Sequence, residues 1–281
     1  MSATSQSGFL ETMARSAVAR VALARSGEPD AALRARLAAS PPPPRLKLDA
    51  SGFDLIAELK LRSPAAGVLS SSDADLEQRV AVYARGGAAL VSVLTEPERF
   101  AGSLALLDRA SAVLTPLGVP TMRKDFVVDP YQLLEARAAG ASGALLIVRM
   151  LGRGQIGELL ATASQLGLFV LLEGFDADDI GIATELARTW RGAGADCLIG
   201  INSRNLRTLE VIPERLEALA ALLPPQHPRV AESGLASAAD AARLAAKGFT
   251  LALVGSALMS ADDPEALVRA MIGAGRRAAL R

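Results

Sequence analysis

Ala144-Leu145-Leu146-Ile147-Val148, a helical pattern from Gly154 to Leu166, and Phe169-Val170-Leu171-Leu172-Glu173 form the passage that decides the fold. The two outer runs are short, aliphatic and rich in β-formers, and the pattern between them closes on Leu166-Gly167. A glycine there suits a left-handed helix end. Two strands joined by a helix form a parallel βαβ unit.

The same order repeats in both directions. Strands are predicted at Leu55–Lys60, Leu90–Leu94, Thr121–Lys124, Ala144–Val148, Phe169–Glu173, Leu198–Asn202, Arg229–Glu232 and Leu251–Gly255. Helical patterns between them include Pro130–Ala139, Pro213–Leu222 and Ala236–Lys247. Eight such units over roughly 230 residues predict an α/β fold, the (β/α)8 or TIM barrel. A doubly wound open sheet is the competing arrangement, but the first loop lacks G-x-G-x-x-G and no Walker-type phosphate loop occurs. Upstream, Pro41 to Pro44 enforce an extended segment after two helical patterns, one with Leu10, Met13, Val18, Val21 and Leu23, the other from Ala31 to Ala39. The expected division is an N-terminal helical extension with a Pro-rich linker over residues 1–45, then a barrel over 46–281.

Composition narrows the function classes. With 30 basic and 30 acidic residues the net charge is +0, which argues against a polybasic nucleic-acid arm. Hydrophobic residues reach 51% but aromatics only 4%, so the core must be aliphatic. A single cysteine excludes an internal disulfide, and with a single histidine beside it no Cys/His metal site is expected. No apolar run reaches the roughly 18 residues of a membrane span, and the first residues lack signal-peptide order. A cytoplasmic protein, monomeric or weakly self-associating, without nucleic-acid or membrane partners, is the expectation.

Chemistry is expected where strands end, because barrel active sites gather at the C-terminal mouth. Side chains two apart on a strand share a face, so Glu58 and Lys60 follow Ile56 inward and Lys124 follows Met122. Glu173, Asn202 and Glu232 close three further strands. Any one terminal charge is ordinarily solvated, whereas five polar strand ends converging on one mouth point to a site; a structural ion-pair layer is the other reading. Lysines and glutamates held close shift each other's proton affinity and supply donor and acceptor together. After the last two strands, Glu232-Ser233-Gly234 and Val254-Gly255-Ser256-Ala257 each place Gly and Ser where a helix is expected to start. Such turns suit a phosphate, although Ser as a simple cap explains either one alone.

With these residues in order, the sequence resembles the indole-3-glycerol phosphate synthase family. The resemblance rests on Ile56–Lys60 with Ser63-Pro64, Ser92–Glu96 with Phe100–Ser103, and Arg123–Phe126 with Asp129–Gln132; Gly200–Leu206, Ala231–Gly234 and Val254–Met259 complete it. It implies closure of the indole ring of 1-(2-carboxyphenylamino)-1-deoxyribulose 5-phosphate with loss of carbon dioxide and water, without metal or other cofactor. It further implies Lys124 as general acid, Lys60 on the anthranilate carboxylate, and Glu173 and Glu58 in later proton transfers, supported by Asn202 and Glu232. Phosphate is implied against Ser233, Gly234, Gly255 and Ser256, with Arg204 near; Ser63 follows the first strand, and Phe100, Phe126 and Leu206 are placed to line an aryl pocket. Ser63 to Ser72 reads as a long first loop and a candidate lid. The chain departs from the family at Gly174-Phe175, where Val-His or Ile-Asn is common, and at Leu61, where Arg62 is expected to cover a missing basic charge. Residues 187–194 look inserted. The alternatives are another phosphate-binding barrel enzyme, such as a phosphoribosylanthranilate isomerase-like activity, or a barrel retained as a non-catalytic, partner-binding scaffold.

Overall fold

A computed structural model describes residues 6–38, 40–49, 52–63, 67–69, 75–190, 197–206 and 208–280. Eight parallel strands close on themselves: β1 (Asp54–Leu59), β2 (Leu90–Leu94), β3 (Thr121–Lys124), β4 (Gly143–Ile147), β5 (Phe169–Gly174), β6 (Cys197–Asn202), β7 (Arg229–Glu232) and β8 (Leu251–Val254). β1 pairs with both β2 and β8, which leaves this sheet without an edge. Every expected strand is present, with ends moved by a residue in several cases. No helix among the described residues is long and apolar enough to cross a membrane.

Strand alternation divides the apolar residues into two layers. Ile56, Leu90, Met122, Leu145, Leu171, Leu198, Val230 and Leu253 fill the barrel, whereas Leu55, Ala57, Val91, Ala144, Val170 and Ile199 face the surrounding helices. The register aligns the inward positions between neighbours, as in Ile56 with Leu90 and Leu171 with Leu198. Because parity is kept to the strand ends, the last inward positions of β1, β3, β5, β6 and β7 are the polar Glu58, Lys124, Glu173, Asn202 and Glu232, whereas Leu94, Ile147 and Leu253 keep those of β2, β4 and β8 apolar.

The extension is α1 (Gln6–Gly27) and α2 (Asp30–Ala38). α1 turns Leu10, Met13, Ala17 and Val21 inward at helical spacing. Leu10, Met13 and Ala17 join the apolar cluster that fills the barrel, so α1 lies over the barrel rather than apart from it. Val18 and Leu23, grouped with that stripe in the sequence reading, are exposed at 57% and 76% and belong to the other face. Pro41 to Pro44 form neither helix nor strand, and Arg137 donates to the Pro41 carbonyl at 2.6 Å.

Two expectations change here. Arg62–Ser63 and Gly67–Val68 pair antiparallel as a short hairpin after β1, while the rest of the expected lid, residues 64–66 and 70–72, lies outside the described residues. The helix expected from Ala236 begins at Ala238, where Ser237 and Asp240 form a capping box. Ser233 and Gly234 therefore do not open a helix. Of the 187–194 stretch, residues 191–194 lie outside the described residues, and Trp190 ends the preceding helix.

Candidate active site

The strand ends open into one cavity of about 600 Å³ at the C-terminal mouth. Every candidate site residue from the sequence reading lines it: the lysines, glutamates and Asn202, the two Gly/Ser turns, Ser63, Arg204, Phe100, Phe126 and Leu206. Convergence from eight strands on one apolar-walled hollow is the common form of a small-molecule site.

Two ion pairs organise its floor. Lys60 Nζ lies 2.7 Å from Glu58 Oε1, and Lys124 Nζ lies 3.2 Å from Glu173 Oε2. Glu173 Oε1 accepts from Asn202 Nδ2 at 3.3 Å, and Asn202 Oδ1 accepts from Ser233 Oγ at 2.9 Å and from the Arg204 amide at 2.9 Å. Small residues make this density possible. A methyl group at Gly200 would collide with the Glu232 carboxylate, and one at Gly255 with Glu58 and Lys60. These glycines are therefore space for charged neighbours, beyond any role in a turn.

The charges fall into distinct states. Burial opposes ionisation of Glu58, but Lys60 and Lys124 outweigh it and hold its pKa below the usual carboxylate value. Burial likewise works against the Lys124 ammonium, yet Glu173, Glu232 and Glu58 together raise its pKa above the usual lysine value. Glu232 goes the other way: burial first, then the charge of Glu173, push it well above the usual range despite Lys124. Ionised, the Glu232 carboxyl finds no donor among the described residues; protonated, it can share its proton with Glu173. Burial lowers the Arg204 pKa, partly offset by Glu58. One mouth thus holds an ammonium, an ionised carboxylate and a carboxyl that favours its proton, the pattern that marks acid–base sites.

Local structure carries the apolar wall. Glu96 accepts three backbone N–H bonds from Glu98, Arg99 and Phe100, fixing the short helix Pro97–Phe100 that presents Phe100. Asp129 and Gln132 form a capping box, and Gln132 Nε2 also donates to the Phe126 carbonyl at 3.1 Å. That glutamine pins the segment bearing Phe126. Ser233 and Gly234 both adopt positive φ, 69° and 79°, so the turn after β7 is tightly folded; Gly255 stands at the head of a five-residue helix, Ser256–Ser260.

Some residues lie elsewhere than expected. Arg62 does not line the cavity: its guanidinium donates to the Glu98 and Arg99 carbonyls and ties the first loop to the second. Cys197 is buried in the outer apolar layer, His227 Nδ1 lies 3.1 Å from its carbonyl oxygen, and neither lines the cavity. Phe9 and Asp125 are among the lining residues absent from the expected set. Phe9 of α1 reaches the cavity and meets Phe126 edge-on, with ring centroids 5.9 Å apart. Asp125 also lines it, accepting from Arg20 of α1 at 2.9 and 3.2 Å, from Arg123 at 2.9 Å and from Thr95 at 2.7 Å. Strand alternation sets Asp125 on the opposite face from Lys124, beside Arg123, and nothing local hinted at Phe9.

A closed parallel barrel with paired lysines and glutamates at its C-terminal mouth defines a (β/α)8-barrel enzyme. The sequence pattern of the family described as indole-3-glycerol phosphate synthase matches residues 11–271. Curated relatives of that name include one from a Nocardioides species, 43% identical over 86% of this chain and 89% of its own, and one from Mycolicibacterium gilvum, 39% identical over 98% and 96%. Among solved structures, thiamine phosphate pyrophosphorylase from Pyrococcus furiosus shares the fold at a TM-score of 0.57 and 15% identity, over 82% of this chain and 99% of its own. The chain belongs to the indole-3-glycerol phosphate synthase family.

Proposed function

We propose that this chain closes the indole ring of 1-(2-carboxyphenylamino)-1-deoxyribulose 5-phosphate, a carbon–carbon carboxy-lyase reaction in tryptophan biosynthesis. The observation that carries the reading is the Lys124–Glu173 pair, set beside a carboxyl that favours its proton and a carboxylate that does not. The ring carbon bearing the carboxylate attacks the ketone carbon, and Lys124 gives its proton to the developing alkoxide. The carbon–carboxylate bond then breaks, its electron pair restores the aromatic ring, and carbon dioxide leaves. Finally the new hydroxyl departs as water with a proton from an acid, and a proton is taken from the adjacent carbon.

Lys60 is suited to the substrate carboxylate, since its partner Glu58 leaves it at the cavity wall. Glu173 and Glu58 serve the dehydration protons, while Asn202 and Glu232 orient Glu173. Phosphate belongs against Ser233, Gly234, Gly255 and Ser256, where two glycines allow close backbone approach. Phe100, Phe126 and Leu206 enclose the aryl ring and exclude water. The test is turnover of the carboxyphenylamino ribulose phosphate, followed by indole fluorescence, beside a Lys124→Ala control. Product from the parent chain and none from the variant supports the reading; a parent chain that binds the substrate without turnover would favour a non-catalytic barrel.

A further inference from the structure

We propose that Arg149, Phe175 and Asp179 form a clamp that positions the Glu173 carboxylate from outside the cavity; this rests on the function proposed above. Glu173 is the penultimate residue of β5, and Gly174 after it offers no side chain to hold the strand end. Glycine is needed there for space: a Cβ at 174 would stand 2.9 Å from the Asp179 Cβ. The helix Ala177–Trp190 therefore packs its Asp179 directly against the backbone that carries Glu173.

The clamp has three jaws from three segments. Asp179 Oδ2 accepts the Phe175 amide at 2.8 Å, closing the turn immediately after Gly174. Arg149, just beyond β4, donates Nε to the same oxygen at 2.7 Å and pairs with Asp176 as well. Its guanidinium also covers the Phe175 ring, 4.6 Å from the centroid, where cation and aromatic face attract. Phe175 is 3% exposed and packs in the apolar cluster that fills the barrel, so the covered ring is an anchor for the turn. None of the three residues lines the cavity.

Glu173 has reason to depend on such support. Its contacts to Lys124 and Asn202, 3.2 and 3.3 Å, are both long. A small rotation of the strand end would lose both, and a misplacement of about 1 Å can cost on the order of a hundredfold in rate. A planar guanidinium is what the site uses, since stacking and two carboxylate contacts are made at once; lysine can supply only the charge.

Four proteins test the proposal: Arg149→Ala and Arg149→Lys, each in the parent chain and in Glu173→Gln. In the parent background Arg149→Ala is expected to lower kcat on the order of tenfold or more with KM changed less than about twofold, and Arg149→Lys to recover only part. In the Glu173→Gln background the same substitutions should change kcat less than about twofold, because the group acted upon is gone. An unchanged kcat in the parent background, or an equal fall in both, overturns the clamp. A readout independent of turnover is the carboxyl 13C resonance of Glu173, assigned by its loss in Glu173→Gln. It should move in Arg149→Ala, and a fixed resonance overturns the proposal even if the chain proves inactive on this substrate. Should Arg149→Ala fail to fold, Phe175→Leu keeps the apolar anchor, removes the ring face and is read in the same two ways.

Discussion

Lys124 and Glu173 stand on strands that do not touch, β3 and β5, yet their charged ends meet at 3.2 Å across the barrel mouth. Closure curves the sheet so that the two inward-facing ends turn toward each other past the intervening β4. The pair is nearly buried, with side-chain exposures of 17% and 2%, so neither charge can be removed without leaving the other poorly solvated. Lys124 is thereby kept protonated and aimed into the cavity.

Lys124→Ala is expected to lower kcat by about 10²–10⁴, the usual range for loss of a positioned proton donor. Far-UV circular dichroism should be unchanged, since Lys124 sits at a strand end. Lys124→Arg keeps the charge but cannot release its proton, and should fail nearly as completely. Fluorescence of the indole product reads both variants.

The proton held by Glu232 gives a stability signature. Its pKa in the folded chain lies above the unfolded value, so the folded chain binds the extra proton and stability from this group is fully present below pH ~4.5. That stability is lost as pH rises through the folded pKa. Glu232→Gln removes the charge and adds a donor toward Glu173, and is expected to be more stable than the parent at pH 8 by about 1–3 kcal/mol, with little difference at pH 4. Urea unfolding at the two pH values measures the difference.

Much of this site was legible because strands have a period of two. Once Ile56 and Met122 were set inward, Glu58, Lys60 and Lys124 had to follow, and the structure places them in the cavity. Phe9 was not legible, since its contact with Phe126 depends on how α1 lies across the barrel, which no local pattern encodes. Val18 and Leu23 misled because apolar residues on a helix need not share a face. The Ser233-Gly234 turn resembled a helix start because Ser and Gly serve both uses, and only the capping box at Ser237 separates them.

Asp125 ties the extension to the site, and its loss should be pH-dependent. Burial opposes its charge, but Arg123, Arg20 and Thr95 prevail and hold its pKa far below the usual range. Such a group adds stability above the unfolded pKa of ~3.9, lost as pH falls through the folded value. Asp125→Asn is expected to cost about 2–4 kcal/mol at pH 7 and progressively less toward pH 2. Arg20→Ala should cost less, about 1–3 kcal/mol, because Arg123 remains paired with Asp125. Urea unfolding of both variants checks the order.

Ser233 combines a strained backbone with a useful hydroxyl, and two substitutions separate them. Its φ of 69° is in the left-handed region, which costs a residue with a Cβ roughly 1 kcal/mol relative to glycine. Its Oγ donates to Asn202 Oδ1 at 2.9 Å, a bond of about 0.5–1.5 kcal/mol. Ser233→Ala keeps the strain and loses the bond, so it should be less stable by about 1 kcal/mol. Ser233→Gly loses the bond and relieves the strain, and should unfold within about 0.5 kcal/mol of the parent chain. If the Ser233 hydroxyl also serves the phosphate, both variants raise KM alike, because the missing hydroxyl is common to them. Equal stability of the alanine and glycine variants would show that the turn stores no strain, and the hydroxyl would then account for the whole effect of residue 233.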